Sequence, residues 1–247
     1  MTDIEYSLIV PLYNEDANIK PLCSIIKENM DKLNKPYEVI LVDDGSTDRT
    51  LYELRDTLMP AFNIIVLAKQ YGQSLALQAG LSQARGNIII TMDGDLQNDP
   101  QDIPILLNKL NEGYDVVCGW WADRKDPLIK KISFLLAYWV RKLILKDPLH
   151  DAGCTLKVFK RKVLKGLFLS PEMYVFFTII MHRLGYKITE IKIRHYARRF
   201  CKSKYNIHNR LLPGIIMVYK FVTTDIHRLI QQTTDYRLLT REGNDVV

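Results

Sequence analysis

The sequence predicts an α/β fold, a mostly parallel sheet flanked by helices, with amphipathic helices added toward the carboxyl end. Three features point to it. Short β-branched apolar runs alternate with stretches of helical spacing through residues 1–120, acidic turns follow two of those runs, and the alternation stops after Gly119.

The expected strands are YSLIVP (6–11), YEVILV (37–42), NIIVLA (63–68), NIIITM (87–92) and DVVCG (115–119). Each is a compact apolar run of strand length, as strands buried on both faces require. Helical spacing covers 15–33, 48–58, 73–84 and 101–112, with Thr47 or Asp48 and the pair Asp99-Pro100 as starts. Ligands of such sheets bind beyond the carboxyl ends of the strands. Two acidic clusters fall there: Asp43-Asp44-Gly45 after the second strand and Asp93-Gly94-Asp95 after the fourth.

Beyond Gly119 comes a helical run, 128–145, with Phe134, Leu135, Leu136, Tyr138, Trp139 and Val140 bracketed by Lys125, Lys130, Lys131, Arg141, Lys142 and Lys146. It reads either as a core helix with a solvated basic rim or as an interfacial helix on an anionic membrane. A strand over TLKVFK (155–160), a helix over 172–184 and a strand over KITEIKIRHY (187–196) follow. The last helical stretch, 210–231, contains LLPGIIMVYKFV, too short and too interrupted by Lys220 to span a bilayer. It could lie flat on a membrane or meet a second copy of itself.

With 47% hydrophobic and 25% charged residues in 247, the chain has the composition of a globular protein, and disorder is excluded. The opening MTDIEYSLIVPLYNE lacks a basic segment followed by an apolar one, so the expected location is cytoplasmic. Cys23, Cys118, Cys154 and Cys201 show no metal-ligand spacing and read as reduced packing residues. The net charge of +6 divides unevenly. Residues 1–120 hold 9 Lys+Arg against 18 Asp+Glu and residues 121–247 hold 25 against 10, which places a cation site beside a surface for anions. Nucleic acid is not the expected anion, because the aromatic residues of the basic half lie in apolar runs rather than among Lys and Arg.

Asp93 and Asp95, separated by one glycine after an apolar strand, can turn two carboxylates toward one point, where their repulsion favours a divalent cation, Mg²⁺ or Mn²⁺. Gln97 adds an amide oxygen. The plainer alternative is a surface turn rich in Asp and Gly. VDDGSTDRT (42–50) puts Asp43 and Asp44 where a carboxylate can accept from a base N–H or a ribose hydroxyl, with Thr47 or Asp48 capping the helix behind.

VPLYNE (10–15), VDDGSTD (42–48) and MDGDLQNDP (92–100), in this order, resemble the inverting family 2 glycosyltransferases of the GT-A, Rossmann-like fold. HDAGCTLKVFKR (150–161) and HYARRFCKSKY (195–205) resemble the branch of dolichol-phosphate mannose synthase and bacterial polyprenyl-phosphate glycosyltransferases. The match covers residues 6–206, which implies a catalytic domain over 1–206 and a C-terminal amphipathic helical segment over 207–247. By position, the resemblance implies a nucleotide pocket of Pro11, Tyr13, Glu15, Asp43, Asp44 and Asp93, and a metal held by Asp93, Asp95 and Gln97. It implies phosphate binding by Arg124, Arg198, Ser203 and Lys204, and catalytic roles for Asp95 and Asp151. Trp121, Tyr174 and Cys201 depart from the pattern, where relatives often carry Arg, His and Gly.

The resemblance implies transfer of a sugar, with inversion, from a UDP- or GDP-sugar to a membrane polyprenyl phosphate, by an enzyme seated peripherally on the cytoplasmic face of a membrane. Transfer to a glycan hydroxyl is the alternative activity, and a catalytically silent scaffold is the alternative class.

Overall fold

The computed structural model describes residues 3–121, 139, 141–151, 153–164 and 176–196. The expected helix over 210–231, most of the 128–145 run and the beginning of the 172–184 helix lie outside these residues. The elements in order are β1 (Tyr6–Leu12), α1 (Asp16–Asp31), β2 (Tyr37–Asp43), α2 (Thr50–Asp56), β3 (Phe62–Val66), α3 (Gln73–Gln83), β4 (Ile88–Thr91), α4 (Ile103–Asn111), β5 (Val116–Trp120), β6 (Lys157–Lys160), α5 (Phe177–Arg183) and β7 (Ile188–Lys192). A 3₁₀ turn, Pro100–Asp102, precedes α4, and a π-helical turn, Arg141–Leu145, precedes β6.

The strands form one sheet in the order β3-β2-β1-β4-β6-β5-β7. β1 pairs in parallel with β2 and β4, and β2 with β3. β6 enters antiparallel between β4 and β5, so the mostly parallel sheet has one reversed strand, and β7 then pairs in parallel with β5. Successive side chains of the central strands go to opposite faces. Leu8, Val10, Val39 and Leu41 pack with α1 and α4 residues on one face, while Ile9, Ile40 and Val42 pack with α3 and α5 on the other.

Two expected helix starts resolve differently. Asp99 does begin the turn before α4, its carboxylate accepting from the Gln101 N–H. Neither Thr47 nor Asp48 occupies the residue before α2, which is Arg49. Asp48 instead accepts from the Thr50 N–H at 2.9 Å, two residues along, which is the local turn short Asp side chains favour.

At the amino ends of β1, β2 and β4 one buried carboxylate ties the three strands together. Glu38 accepts from the Ser7 hydroxyl at 2.7 Å, from the Arg85 N–H at 2.7 Å, and from Arg85 Nε and Nη2 at 2.9 and 2.7 Å. The Ser7 oxygen in turn accepts from the Gly86 N–H. Removing the carboxylate leaves the buried Ser7 hydroxyl and the Arg85 N–H without their acceptor. Glu38→Ala is expected to lower unfolding free energy by about 3 kcal/mol in urea denaturation, and a loss under about 1 kcal/mol would deny Glu38 this role.

Candidate active site

The crevice opens where β1 loses one neighbour. Pairing of β1 with β4 ends at Ile9 and Thr91, and the Ile9 carbonyl accepts its last bond from the Met92 N–H at 3.2 Å. Pairing with β2 runs on to Leu12, whose carbonyl accepts from Asp44 at 2.8 Å. Main-chain groups alternate sides along a strand, so Pro11, like Ile9, turns its nitrogen toward the β4 side. There β4 has already left, and a residue without an N–H is tolerated. Pro11 therefore marks the mouth of the crevice at the point where strand order reverses.

Met92 and Asp93 lead β4 into this mouth. A Cβ on Gly94 would lie 2.2 Å from Leu12 Cδ2 and 3.4 Å from Val10 Cγ1, so the glycine is required by close approach to β1. Gln73, at the first turn of α3, donates from Nε2 to Asp93 Oδ1 at 2.5 Å. Asp95 is 7% exposed and accepts from the Gln97 N–H at 3.1 Å across Leu96, which adopts a left-handed backbone at φ +60°. The Gln97 amide nitrogen lies 3.2 Å from His195 Nε2 and 3.3 Å from the Tyr196 carbonyl. The Gln97 amide nitrogen is thereby turned toward residues 195 and 196.

The carboxylates of Asp93 and Asp95 and the amide oxygen of Gln97 are hard donors of the kind that suit Mg²⁺ or Mn²⁺, ions that complete their shells with water and substrate phosphates. Among the described residues no three His, Cys, Asp or Glu gather into an all-protein cage.

The loops after β1 and β2 are cross-stitched. The Asn14 N–H donates to Ser46 Oγ at 2.9 Å, the Thr47 N–H to Asn14 Oδ1 at 2.8 Å, and the Glu15 N–H to Thr50 Oγ1 at 2.7 Å. Asn18 holds the Glu15 carboxylate at 2.5 Å. Tyr13 and Pro11 are half-buried at this rim. Asp43 is buried and accepts from the Ser46 N–H at 3.1 Å.

Asp44 has a task the sequence did not announce. Its two carboxylate oxygens accept the Tyr71 and Gly72 N–H groups, both at 2.8 Å, organising the loop that launches α3 and hence Gln73. Burial pushes its carboxyl above the usual carboxylate range, with those two bonds acting in the opposite direction. Gly45, at φ +67°, lets that loop pass, since a Cβ there would lie 2.4 Å from the Lys69 carbonyl carbon.

A strap after β7 crosses the loop that follows the aspartates. Arg194 bonds Asp102 through its main-chain N–H at 3.0 Å and through Nη2 at 2.9 Å, and reaches Asp99 at 3.2 Å. The Tyr196 hydroxyl donates to Asp99 at 3.1 Å, and its N–H donates to the Gln97 carbonyl. His195 packs on Trp121 with ring centroids 4.6 Å apart. The Trp121 N–H donates to Asp151 Oδ2 at 3.4 Å, and the Gly153 N–H to Oδ1 at 2.8 Å. Asp151 thus connects through Trp121 and His195 to Gln97.

Sequence reasoning missed Gln73, Glu190 and Arg194, and counted Trp121 only as a departure from pattern. None lies in a recognisable motif, and their partners are 20–95 residues distant. Arg124, Arg198, Ser203 and Lys204, with Tyr174 and Cys201, lie outside the described residues. The other cysteines bear out their reading as packing residues: Cys23, Cys118 and Cys154 are buried thiols. Burial pushes Cys23 to about 11 and Cys118 to about 12.

The sequence profile of Glycosyl transferase family 2 matches residues 7–168. The chain belongs to glycosyl transferase family 2. This glycosyltransferase is 39% identical over 228 residues to the dodecaprenyl-phosphate galacturonate synthase of Rhizobium johnstonii, covering 89% of this chain and 68% of that relative. It is 34% identical over 241 residues to the undecaprenyl-phosphate 4-deoxy-4-formamido-L-arabinose transferase of Yersinia enterocolitica, covering 96% and 71%. Among solved structures it resembles glucosyl-3-phosphoglycerate synthase from Mycobacterium tuberculosis in complex with Mn²⁺, UDP and glucosyl-3-phosphoglycerate. That superposition has a TM-score of 0.65 at 20% identity and covers 88% of this chain and 77% of the other. The likeness is one of fold, and the fold is GT-A-like.

The contact of Gly94 with Leu12 gives a direct test. Gly94→Ala is expected to cost about 2 kcal/mol and to weaken nucleoside diphosphate binding, with Leu12→Val in the same chain recovering much of the stability by removing the clashing methyl. Thermal melts of the two variants check this, and a Gly94→Ala protein as stable as wild type would remove the steric argument.

Proposed function

We propose that this glycosyltransferase moves a sugar from a UDP- or GDP-sugar to a polyprenyl phosphate, with inversion, at the cytoplasmic face of a membrane. The observation that supports the reading is that Asp43 ends β2 and Asp93 and Asp95 follow β4, the two strands that flank β1, while Gln97 is linked through His195 and Trp121 to Asp151. The polyprenyl-phosphate transferases among its relatives, aligned over nearly the whole chain, support the choice of acceptor.

In this reading Asp43 and Glu15 meet the nucleoside, with Pro11, Tyr13 and Asp44 shaping the pocket. A divalent cation, Mg²⁺ or Mn²⁺, held by Asp93, Asp95 and Gln97 would offset charge on the diphosphate. The bond from the anomeric carbon to the diphosphate oxygen breaks, and its electron pair leaves with the nucleoside diphosphate. An oxygen of the acceptor phosphate bonds to the opposite face of that carbon. That nucleophile is an anion at neutral pH and requires no base, which suits an acceptor side rich in cations rather than poised carboxylates. Arg124, Arg198, Ser203 and Lys204 are assigned to phosphate groups, and Asp151 to the reaction centre. Residues 1–206 form the catalytic domain of this proposal, and 207–247 its amphipathic segment.

Peripheral seating is supported by Trp139, Leu143 and Ile144, exposed at 53%, 73% and 51% beside the cationic Lys142 and Lys146. Each cation near an anionic leaflet contributes on the order of 1 kcal/mol. No helix among the described residues is long and apolar enough to cross a membrane.

Incubation of the purified protein and Mn²⁺ with labelled UDP- and GDP-sugars and undecaprenyl phosphate tests the acceptor. Label is expected to move into the organic phase and to return to water after mild acid. Label that enters only water-soluble glycans would assign a hydroxyl acceptor instead.

A further inference from the structure

We propose that Glu190, on β7, is a positioning residue that acts through Asp151 by clamping the main chain at His150 and Asp151. The inference rests on the assignment of Asp151 to the reaction centre made above.

The geometry is specific to one short segment. The His150 N–H donates to both Glu190 oxygens, at 2.9 and 2.8 Å, and the Asp151 N–H donates to Oε2 at 3.2 Å. The His150 ring also meets Glu190 through Nδ1. That ring is stacked on Trp120, with centroids 4.6 Å apart and planes 15° from parallel, and Lys192 lies 5.1 Å from the Trp120 centroid. Glu190, Trp120 and Lys192 come from the paired strands β5 and β7, where Trp120 stands opposite Lys192 and Cys118 opposite Glu190. The loop carrying Asp151 is therefore fastened to rigid sheet, although the preceding Lys146 and Asp147 belong to no strand.

The clamp leaves the Asp151 carboxylate itself to other partners. Its oxygens accept from the Trp121 and Gly153 N–H groups, while Glu190 accepts from the main-chain N–H of residue 151. Glu190 thus sets where Asp151 stands without competing for its side chain. Lys157, on the neighbouring strand β6, is buried and donates to the Cys154 carbonyl. Two residues past Lys192, the same strand end delivers Arg194 to Asp99 and Asp102, and His195 to Gln97. β7 consequently holds Asp151 in register with the segment that carries the metal-side residues, and a displacement near 1 Å at a reacting group can cost roughly 100-fold in rate.

The test compares wild type, Glu190→Ala, Glu190→Gln, Asp151→Asn and the Glu190→Ala/Asp151→Asn double variant. Each is assayed as the full chain with Mn²⁺, undecaprenyl phosphate and a mixture of common UDP- and GDP-sugars, reading release of UDP or GDP. Binding of UDP with Mn²⁺ and thermal melting are measured alongside. Glu190→Ala is expected to lose roughly 100-fold in kcat while keeping its UDP affinity and its acceptor KM. Glu190→Gln should stay within roughly 10-fold of wild type, because the amide keeps an acceptor oxygen for the two N–H groups and can donate to His150 Nδ1. In the Asp151→Asn background, Glu190→Ala should cost almost nothing further. Full activity in Glu190→Ala, multiplicative losses in the double variant, or UDP affinity falling in step with kcat would each overturn the proposal. A wild-type chain that binds UDP but releases no nucleotide would overturn the transfer reading itself, and the clamp's function with it.

Discussion

The site depends on β1 keeping β2 as a partner after β4 has turned away. Up to Ile9 the strand is hydrogen-bonded on both sides, and beyond it only the β2 side is closed. The resulting gap is where Gly94 presses on Leu12, where the Pro11 nitrogen demands no acceptor, and where the chain after β4 carries Asp93 and Asp95. Asp93, Gly94 and Asp95 follow directly, outside the paired region of β4, which ends at Thr91.

Around that gap the charged groups form a connected structure rather than a set of independent ligands. Asp44 organises the turn before α3, α3 supplies Gln73, and Gln73 orients Asp93. On the other side Glu190 fastens the Asp151 loop, and Trp121 and His195 carry the connection on to Gln97. Carboxylates at Asp43, Asp44, Asp95 and Asp151 are all nearly inaccessible to water. Burying so many acids is tolerable because their oxygens meet main-chain N–H groups, and it strengthens the attraction any bound cation would feel.

Much of the first half was legible because periodicity and turn chemistry are local. The β1, β2 and β4 runs, α1, and the Asp99-Pro100 start all follow from residues within a few positions of each other. β6 was legible as a strand, yet its antiparallel place between β4 and β5 was not, because only long-range pairing with Ile88–Thr91 and Val116–Cys118 sets it. At the site the same division holds. Asp93, Asp95 and Gln97 sit in one short motif, whereas the partners Gln73, Glu190 and Arg194 are brought in from other elements. Asp44 looked like a second nucleotide ligand beside Asp43, and only the fold reveals that its oxygens meet the Tyr71 and Gly72 N–H groups.

The proposed transfer requires that a nucleoside diphosphate and a divalent ion bind together in the crevice. Calorimetric titration of UDP and GDP into the full chain, once with Mn²⁺ and once with excess EDTA, addresses that directly. One of the two nucleotides is expected to bind with Mn²⁺ present, to lose at least about tenfold in affinity, or roughly 1.4 kcal/mol, when the ion is chelated, and to lose as much in Asp95→Asn with Mn²⁺ restored. Equal affinity with and without the ion, in a protein that melts normally, would contradict it.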